Sequence, residues 1–397
     1  MPKPLEGVTV ADFSQMQQGG WATMKLGDMG AEVVKIEPPH GDPARNYEMS
    51  GDLYEGVSTA FLAMNRNKRS IVLDLTTVSG REVARDIVAD ADVLVENYRA
   101  GVMEQFDLGY EDVRGYNPDI VYVSGTGYGG SGPYADRPGQ DLLAQAITAL
   151  PTYTGRSDDP PTPAGTMVCD GHSAMNLAMY TLMALFHRER TGEGQRVEVD
   201  LLSAGVDLQC AEITTELNLD ADFERSEAGV GHIAAPGPYG IHATADGHVA
   251  VSFANLSNLA DEFDLDPVCD YDDQPACYEY RDEIQRQVGA ALADEPTERV
   301  MKRLLDVGVW VAEVNDYQDV IEDPQVEHND MIVELDHPEL GTFEVTGVPA
   351  RLSDTEPAMA PPPLLGEHTE EILQARGYGD GDIETLREDG AIPEAAD

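Results

Sequence analysis

The sequence contains very little lysine and far fewer basic than acidic residues. Its 397 residues include 25 lysines and arginines against 74 aspartates and glutamates, for a formal net charge of −49. A field of this sign repels the phosphates of nucleic acids and anionic lipids, so neither is expected as a partner. The acidic residues are spread through every segment among apolar periodic stretches, which indicates a folded protein with an acidic surface rather than a disordered tail.

Such a surface repels itself unless salt screens it. At molar salt the Debye length is only about 3 Å, so neighbouring carboxylates interact weakly. We therefore expect a halophilic source, an archaeon with a salt-rich cytosol, and a fold that loosens at low salt.

Further absences bear on redox chemistry, metals and membranes. The four cysteines form no CxxC pair and show no metal-ligand spacing, which predicts reduced cysteines and no bound metal. No run of eighteen apolar residues is present, and the N-terminus lacks a basic region followed by an apolar stretch. These features predict no membrane span, no secretory signal and a cytoplasmic location.

Strand and helix signals alternate along the first 200 residues. Helical periodicity is clearest over 171–190, and strand-like apolar runs occupy 8–14, 31–37, 70–77, 92–98, 120–127 and 195–202. This alternation predicts an α/β fold with a parallel sheet and crossover helices. The pattern changes after the first 207 residues, so we predict a large domain over 1–207, a smaller α+β domain over 208–329 and a return to the large domain over 330–397.

A glycine-rich motif follows one predicted strand. Gly127, Gly129 and Gly132 spell GxGxxG, the fingerprint of dinucleotide-binding folds. Pro133 follows at once and the next helix begins only near Asp141, which is the wrong context for that fingerprint. The motif is therefore interpreted as a glycine turn over a ligand or as a tight loop, and a nicotinamide-dependent oxidoreductase is disfavoured.

Two features carry both a structural and a functional interpretation. Arg66, Lys68 and Arg69 place three cations within four residues, either as a solvated strand entry or as a phosphate anchor for an anionic ligand. Asp170 precedes a helix, either as its N-cap or as a nucleophile whose neighbouring amides would stabilise an oxyanion. His172 nearby is interpreted as a surface residue rather than a general base.

Several blocks of sequence, in order, resemble the class III CoA transferases of the CaiB/BaiF type over nearly the whole chain. They are GVTVADFSQMQQGGWATMKLGDMGAEVVKIEPPHGDPAR, NRNKRSIVLDL, VENYRAGV, NPDIVYVSGTGYGGSGPY, CDGHSAMN, RTGEGQRVEVDLL and PPLLGEHTEEIL. The resemblance implies a Rossmann-like large domain, a small domain and an interlocked homodimer. It also implies exchange of CoA between an acyl-CoA and a free carboxylic acid through anhydride and thioester intermediates on Asp170, with no permanently bound cofactor. Succinyl-CoA and mesaconate are the expected donor and acceptor.

The resemblance also implies roles for individual residues. The implied catalytic residues are Asp170, Gln17 and Asp141. The implied CoA-binding residues are Gln17, Gln18, Asn67, Lys68, Arg69, Asn97, Tyr98, Arg99, Arg137 and Gln140. A glycine-rich segment, 229–237, would close over the intermediate, and the candidates for holding a distal carboxylate are Arg45, Arg225, His40 and His232.

The sequence departs from the family pattern at two places and leaves two alternatives. Gln18-Gly19-Gly20 replaces the usual Ala-Gly-Pro of the first loop, and Trp310 replaces a proline. An α-methylacyl-CoA racemase of the same fold would carry a histidine before Asp141, where this chain has Gln140. A non-catalytic acyl-CoA-binding protein would bind CoA without using Asp170.

Overall fold

The computed structural model describes residues 2–219, 221–252, 255–271 and 273–394. These residues form two compact units. The first comprises the chain up to Ala144, Met167–Leu208 and the chain from Pro324 onward, and the second comprises Gln145–Thr166 and Gln209–Asp323. The predicted domain bounds, 1–207, 208–329 and 330–397, stay a prediction.

A parallel six-stranded sheet forms the centre of the first unit. Its strands are β1 (Thr9–Asp12), β2 (Glu32–Glu37), β3 (Lys68–Val72), β4 (Val93–Glu96), β5 (Val121–Thr126) and β6 (Gln195–Asp200). They lie in the order β3-β2-β1-β4-β5-β6, and all neighbours are parallel. This confirms the predicted α/β fold. Because the order reverses between β1 and β4, the loops that follow these two strands open a crevice at the carboxyl edge of the sheet.

Helices cover both faces of this sheet. Val83 and Ile87 pack on one face, and Leu26 and Leu177 pack on the other. The helices in chain order are α1 (Met16–Asp28), α2 (Thr59–Met64), α3 (Val78–Ala89), α4 (Val102–Gln105), α5 (Tyr110–Arg114), α6 (Asp141–Ile147), α7 (Leu150–Tyr153), α8 (Val168–Thr191), α9 (Leu201–Leu208), α10 (Cys210–Leu219), α11 (Leu256–Phe263), α12 (Arg281–Leu292), α13 (Thr297–Asp306), α14 (Tyr317–Glu322), α15 (Pro324–His328), α16 (Thr369–Ala375) and α17 (Asp380–Glu388). None of the helices in the described ranges has the length and apolar composition needed to cross a bilayer.

The second unit has a small antiparallel sheet of its own. Its strands β7 (Gly240–Ala243), β8 (His248–Val251) and β9 (Val311–Glu313) lie in the order β7-β8-β9. Val249 of this sheet packs with residues of α11, α12 and α13 in one apolar core. The remaining strands, β10 (Ile332–His337) and β11 (Gly341–Thr346), form an antiparallel hairpin in the first unit.

Two of the four cysteines are paired, which corrects the expectation that all are reduced. Cys269 and Cys277 form a disulfide with a Cα–Cα distance of 5.5 Å. The segment between α11 and α12 includes a 3-10 helix, Gln274–Tyr280, which contains Cys277. It brings together two cysteines that are eight residues apart, a spacing that a search for CxxC pairs does not detect. Cys169 is buried and Cys210 is exposed, and neither is in a disulfide.

Candidate active site

Helix α8 begins before Asp170 rather than after it. The helix starts at Val168 with Met167 at the N-cap position, so Asp170 lies in the first turn and its predicted N-cap role is wrong. The cap is instead supplied by α6. Asp141 Oδ1 accepts hydrogen bonds from the backbone N–H of Cys169 at 2.8 Å and of Asp170 at 3.1 Å. A carboxylate in this place satisfies helix N-terminal donors and interacts favourably with the helix dipole.

This cap occupies the amides that were expected to stabilise an oxyanion. The N–H groups of Cys169 and Asp170 donate to Asp141, and the N–H of Gly171 donates to Met167 O at 3.0 Å. The expectation that these amides face a tetrahedral intermediate is therefore wrong. The reason is that the first N–H groups of a helix lack partners within the helix. Here a carboxylate from another helix accepts hydrogen bonds from them.

The environment of Asp170 favours its protonated form. Burial, together with the negative charge of Asp141, raises the pKa of Asp170 to about 7. Burial also raises the pKa of the adjacent Cys169 thiol to about 12, with the charges of Asp141 and Asp170 contributing. Asp170 is therefore able to change its charge near neutral pH, whereas Cys169 stays protonated there.

Helices α1 and α8 meet beside Asp170. Gln18 Nε2 donates to Ser173 Oγ at 2.7 Å, which joins the first turn of α1 to the second turn of α8. A Cβ added at Gly171 would lie 3.2 Å from Trp21 Cζ3, so the absence of a side chain allows α1 to approach closely. The structure thus brings the predicted residues Gln18 and Asp170 into one region, with the half-buried Gln17 next to Gln18 on α1.

A second group of predicted residues lies at the carboxyl edge of the sheet, where β1 and β4 end. Asn97 Nδ2 donates to Gln15 O at 2.8 Å, and Gln15 N donates to Asn97 Oδ1 at 2.7 Å. Gln15 Nε2 also donates to the Tyr98 hydroxyl at 3.2 Å. A cavity of about 660 Å³ opens at this edge, and its walls include Gln15, Tyr98, His40, Leu75 and Phe106. Cavities at this place in open α/β sheets are the usual sites of ligand binding.

The predicted residues Asn67, Lys68 and Arg69 lie elsewhere, at the amino end of β3. The Lys68 ammonium is buried and donates to Asp12 Oδ2 at 3.0 Å. Asn67 and Arg69 also bond to other parts of the chain. The structure does not bring Asn67 and Arg69 to the carboxyl edge, whereas the Lys68 ammonium reaches Asp12, the last residue of β1. The assignment of all three residues to CoA stays a prediction. Arg66 is buried as well, so the interpretation of this cluster as a solvated strand entry is wrong for Arg66 and Lys68.

The remaining predicted CoA-binding residues follow β4 and β5 and are exposed. They are Arg99, Arg137 and Gln140. The guanidinium carbon of Arg137 lies 3.7 Å from the centre of the Tyr134 ring, a cation–π contact that holds the side chain without neutralising it. These residues therefore offer polar or positive groups at the surface of a strongly acidic protein.

Three of the residues considered for an acceptor carboxylate are engaged within the protein. Arg45 is buried and forms a bidentate pair with Glu37, at 2.7 Å for both bonds. Arg225 donates to backbone carbonyl oxygens within the second unit. His232 pairs with Glu212 at 2.8 Å. His172, interpreted as a surface residue, pairs with an exposed carboxylate of α9.

Sequence reasoning missed Glu96, which ends β4. Its carboxylate is buried, accepts a hydrogen bond from Ser124 Oγ, and accepts a second from Tyr98 N at 2.9 Å. Burial raises the pKa of Glu96 to about 7. The available signal was an acidic residue at the carboxyl end of an otherwise apolar strand, next to the predicted residue Asn97.

Comparisons with known proteins agree with the observed fold. The sequence profile of CoA-transferase family III matches residues 5–369. The chain is 36% identical to the succinyl-CoA:mesaconate CoA-transferase of Haloarcula hispanica over 95% of this chain and 97% of that protein. It is 34% identical to the succinyl-CoA:glutarate CoA-transferase of Mus musculus over 98% of this chain and 90% of that protein. The crystal structure of a CaiB/BaiF family protein from Brucella suis superposes with a TM-score of 0.84 at 28% identity, covering 95% of this chain and 100% of that one.

Proposed function

The chain belongs to CoA-transferase family III, and from that membership we propose that it moves CoA from succinyl-CoA to a free short dicarboxylate, mesaconate, through covalent intermediates on Asp170. The observation that carries the proposal is a half-buried carboxyl group, held in the first turn of α8, whose pKa is raised to about 7 by desolvation and by the charge of Asp141. Succinyl-CoA as donor is supported by the names of the relatives from Haloarcula hispanica and Mus musculus, and mesaconate by the first of these.

The proposed chemistry keeps an activated acyl group at every step. The Asp170 carboxylate attacks the thioester carbonyl of succinyl-CoA. The C–S bond breaks, CoA thiolate is released, and a mixed anhydride of Asp170 and succinate is formed. The thiolate then attacks the aspartyl carbonyl, which forms an aspartyl-CoA thioester and releases succinate. Mesaconate repeats these two steps in reverse order and leaves as mesaconyl-CoA, which restores the Asp170 carboxylate. No step consumes ATP or needs an external oxidant or reductant.

The residues around Asp170 have separable roles in this proposal. Asp141 positions α8 through its bonds to the first-turn amides and raises the pKa of Asp170. A carboxylate with a raised pKa is a better nucleophile once it is deprotonated. Gln17 donates an amide N–H to the carbonyl oxygen that becomes negative, a type of contact that contributes about 3–4 kcal/mol where it has been removed.

The CoA moiety is proposed to occupy the cavity at the carboxyl edge of the sheet. Tyr98 lines this cavity and Asn97 borders it through Gln15. Arg99 and Arg137 supply positive charge for the phosphates, since both are exposed and neither guanidinium forms an ion pair within the described residues. An anhydride hydrolyses in water, so closure of the segment 229–237 over the intermediate remains part of the proposal.

The proposal includes a homodimer in a salt-rich cytoplasm. One face of α8 exposes large apolar side chains, and the most exposed of these are Met183 at 54% and Phe186 at 64%. Contiguous apolar surface of this kind is typical of subunit interfaces.

The net charge of −49 supports a halophilic source, because a chain with this charge is best screened at high salt.

A donor–acceptor screen tests the proposal. Purified protein in molar KCl is incubated with succinyl-CoA and a panel of free acids, and new CoA esters are identified by mass spectrometry. We expect mesaconyl-CoA to form, and hydroxylamine to trap an activated acyl group on Asp170. Asp170→Ala should lower transfer by at least about 10³-fold, with CoA affinity changed by less than about tenfold.

Three results would contradict it. An intermediate on another side chain, or an active Asp170→Ala variant, would remove Asp170 from the mechanism. Exchange of an α-proton into D₂O without any CoA transfer would favour a racemase. Asp207→Ala is the control, since Asp207 is an exposed aspartate that pairs with His172 of α8.

A further inference from the structure

A short loop, 13–15, connects β1 to α1, and Met16 begins the helix that carries the glutamines of the candidate site. The backbone groups of Ser14 and Met16 bond to charged side chains from β2 and from the loop after it. Lys35 Nζ donates to Ser14 O at 2.8 Å, and Met16 N donates to Asp42 Oδ1 at 3.0 Å. Lys35 and Asp42 also pair with each other, with 2.9 Å between Nζ and Oδ2. The two members of one ion pair therefore bond to the backbone on either side of Gln15.

This ion pair is fully buried. The side chains of Lys35 and Asp42 are 0% and 1% exposed. Removing two charges from water is costly, and a well-packed apolar pair of similar volume often gives an equally stable fold. Stability of the pair alone therefore does not account for both residues, although Asp42 Oδ1 also accepts from Ala44 N at 2.8 Å. An apolar pair would, however, leave Ser14 O without its donor and Met16 N without its acceptor.

The loop is held in a conformation that it would not adopt freely. Met16 has a φ of 56°, in the left-handed region that residues other than glycine rarely occupy. In the preceding residue, Gln15, both the backbone N–H and the backbone carbonyl bond to the Asn97 side chain. Helix α1 starts at Met16, and Gln17 and Gln18 follow directly. The bonds to the loop therefore set the direction in which these two amide side chains leave the backbone.

We propose that Lys35 and Asp42 are positioning residues for CoA transfer, which hold Ser14 and Met16 so that Gln17 meets the reacting carbonyl oxygen. This inference rests on the proposed function. Neither residue needs to contact the substrate, because each acts through the backbone of the loop. Misplacement of a catalytic group by about 1 Å, caused from a distance, is enough to lower a rate by about 10²-fold.

Two single variants and their combination test this role. Lys35→Met removes the donor to Ser14 O at nearly constant volume. Asp42→Asn keeps an oxygen that accepts from Met16 N but loses the charge that pairs with Lys35. The double variant restores charge balance without restoring the bond to Ser14 O.

We expect kcat to fall by about 10²-fold in Lys35→Met and in the double variant, with KM for succinyl-CoA changed by less than about threefold. The thermal midpoint should fall in each single variant and recover in the double variant, because the buried charge is no longer uncompensated. Recovery of the midpoint without recovery of kcat is the signature of positioning.

Arg188→Met is the control, at a partly exposed ion pair that is distant from the candidate site. Arg188 pairs with Asp92 at 2.7 Å, and Asp92 accepts a hydrogen bond from the N–H of Thr9 at the opposite end of β1. We expect a lower thermal midpoint and an unchanged kcat. The positioning role is overturned if kcat in Lys35→Met falls no further than in Arg188→Met, or if kcat recovers together with the midpoint in the double variant.

Amide hydrogen exchange separates this inference from the proposed function, because it needs no substrate. We expect faster exchange at residues 14–18 in folded Lys35→Met than in the wild type. A wild-type protein that transfers no CoA would contradict the proposed function whatever the exchange rates are. An active wild type whose Lys35→Met variant exchanges these amides at the same rate would contradict the positioning role alone.

Discussion

The raised pKa of Asp170 lets its carboxyl group change protonation near neutral pH, and only the carboxylate is a nucleophile. Burial and the charge of Asp141 raise its pKa to about 7. We therefore expect kcat/KM for the formation of the acyl-enzyme to increase with pH below about 7 and to level off above it. Rapid-quench measurements of this half-reaction between pH 5 and 9 test the expectation.

The variant Asp141→Asn isolates the contribution of the second charge. The amide oxygen of Asn still accepts from the N–H groups of Cys169 and Asp170, but the like charge is gone, so the midpoint of the pH profile should move to lower pH. Asp207→Asn, which removes an exposed charge paired with His172, should leave the midpoint unchanged. A midpoint that stays in place in Asp141→Asn would show that burial alone raises the pKa of Asp170.

The close packing of α1 against its own loop explains why glycine occupies position 19. A Cβ added there would lie 2.2 Å from the Ser14 Cβ, which requires the loop or the helix to move. We expect Gly19→Ala to destabilise the protein by about 1–3 kcal/mol, as overpacking does in other cores. Gly381, in α17, has nothing within 4 Å of such a Cβ. Gly381→Ala should therefore stabilise by about 0.4–1 kcal/mol.

Denaturant unfolding in molar KCl measures both changes. The two substitutions are chemically identical and both fall within helices, so opposite signs would separate the steric cost at Gly19 from the general helix preference for alanine. If both substitutions change the free energy of unfolding in the same direction, α1 can shift away from residue 14 at little cost.

The regular elements could be predicted from the sequence because they depend on local periodicity. The strand predicted at 31–37 is observed as Glu32–Glu37, and the helix predicted at 171–190 is observed as Val168–Thr191. The errors arose where a partner distant in sequence decides the outcome. Asp170 is displaced from the N-cap by a carboxylate 29 residues away, and Lys68 is buried because Asp12, 56 residues away, pairs with it.

For the same reason the sequence identified the site only in part. Resemblance to a family indicated which residues are important, but not how they are arranged. The role of Lys35 and Asp42 depends on the register that places β2 beside β1 and on the path of the loop that follows β2. No local pattern predicts that a buried cation and a buried carboxylate will bond to the same loop.

At the scale of the whole molecule, charge and apolar surface act in opposite directions on association. Two chains that each carry −49 repel one another, whereas the exposed apolar face of α8 favours burial against a second copy. Salt weakens the repulsion between the chains by screening their charges. Strongly hydrated salts also strengthen the burial of apolar surface. We therefore expect a dimer in molar KCl that dissociates as the KCl concentration is lowered towards about 0.1 M, where the Debye length is about 10 Å.

Sedimentation equilibrium across this range of KCl tests the expectation. Phe186→Glu places a charge on the apolar face, at its most exposed side chain, and should shift the sample towards the monomer at every salt concentration. Val78→Glu is the control, because Val78 is equally exposed, at 65%, but lies on α3 away from that face. A monomer at all salt concentrations, or a dimer that Phe186→Glu leaves intact, would show that the face of α8 is not the interface, and the exposed methionines around Phe186 would then need another partner.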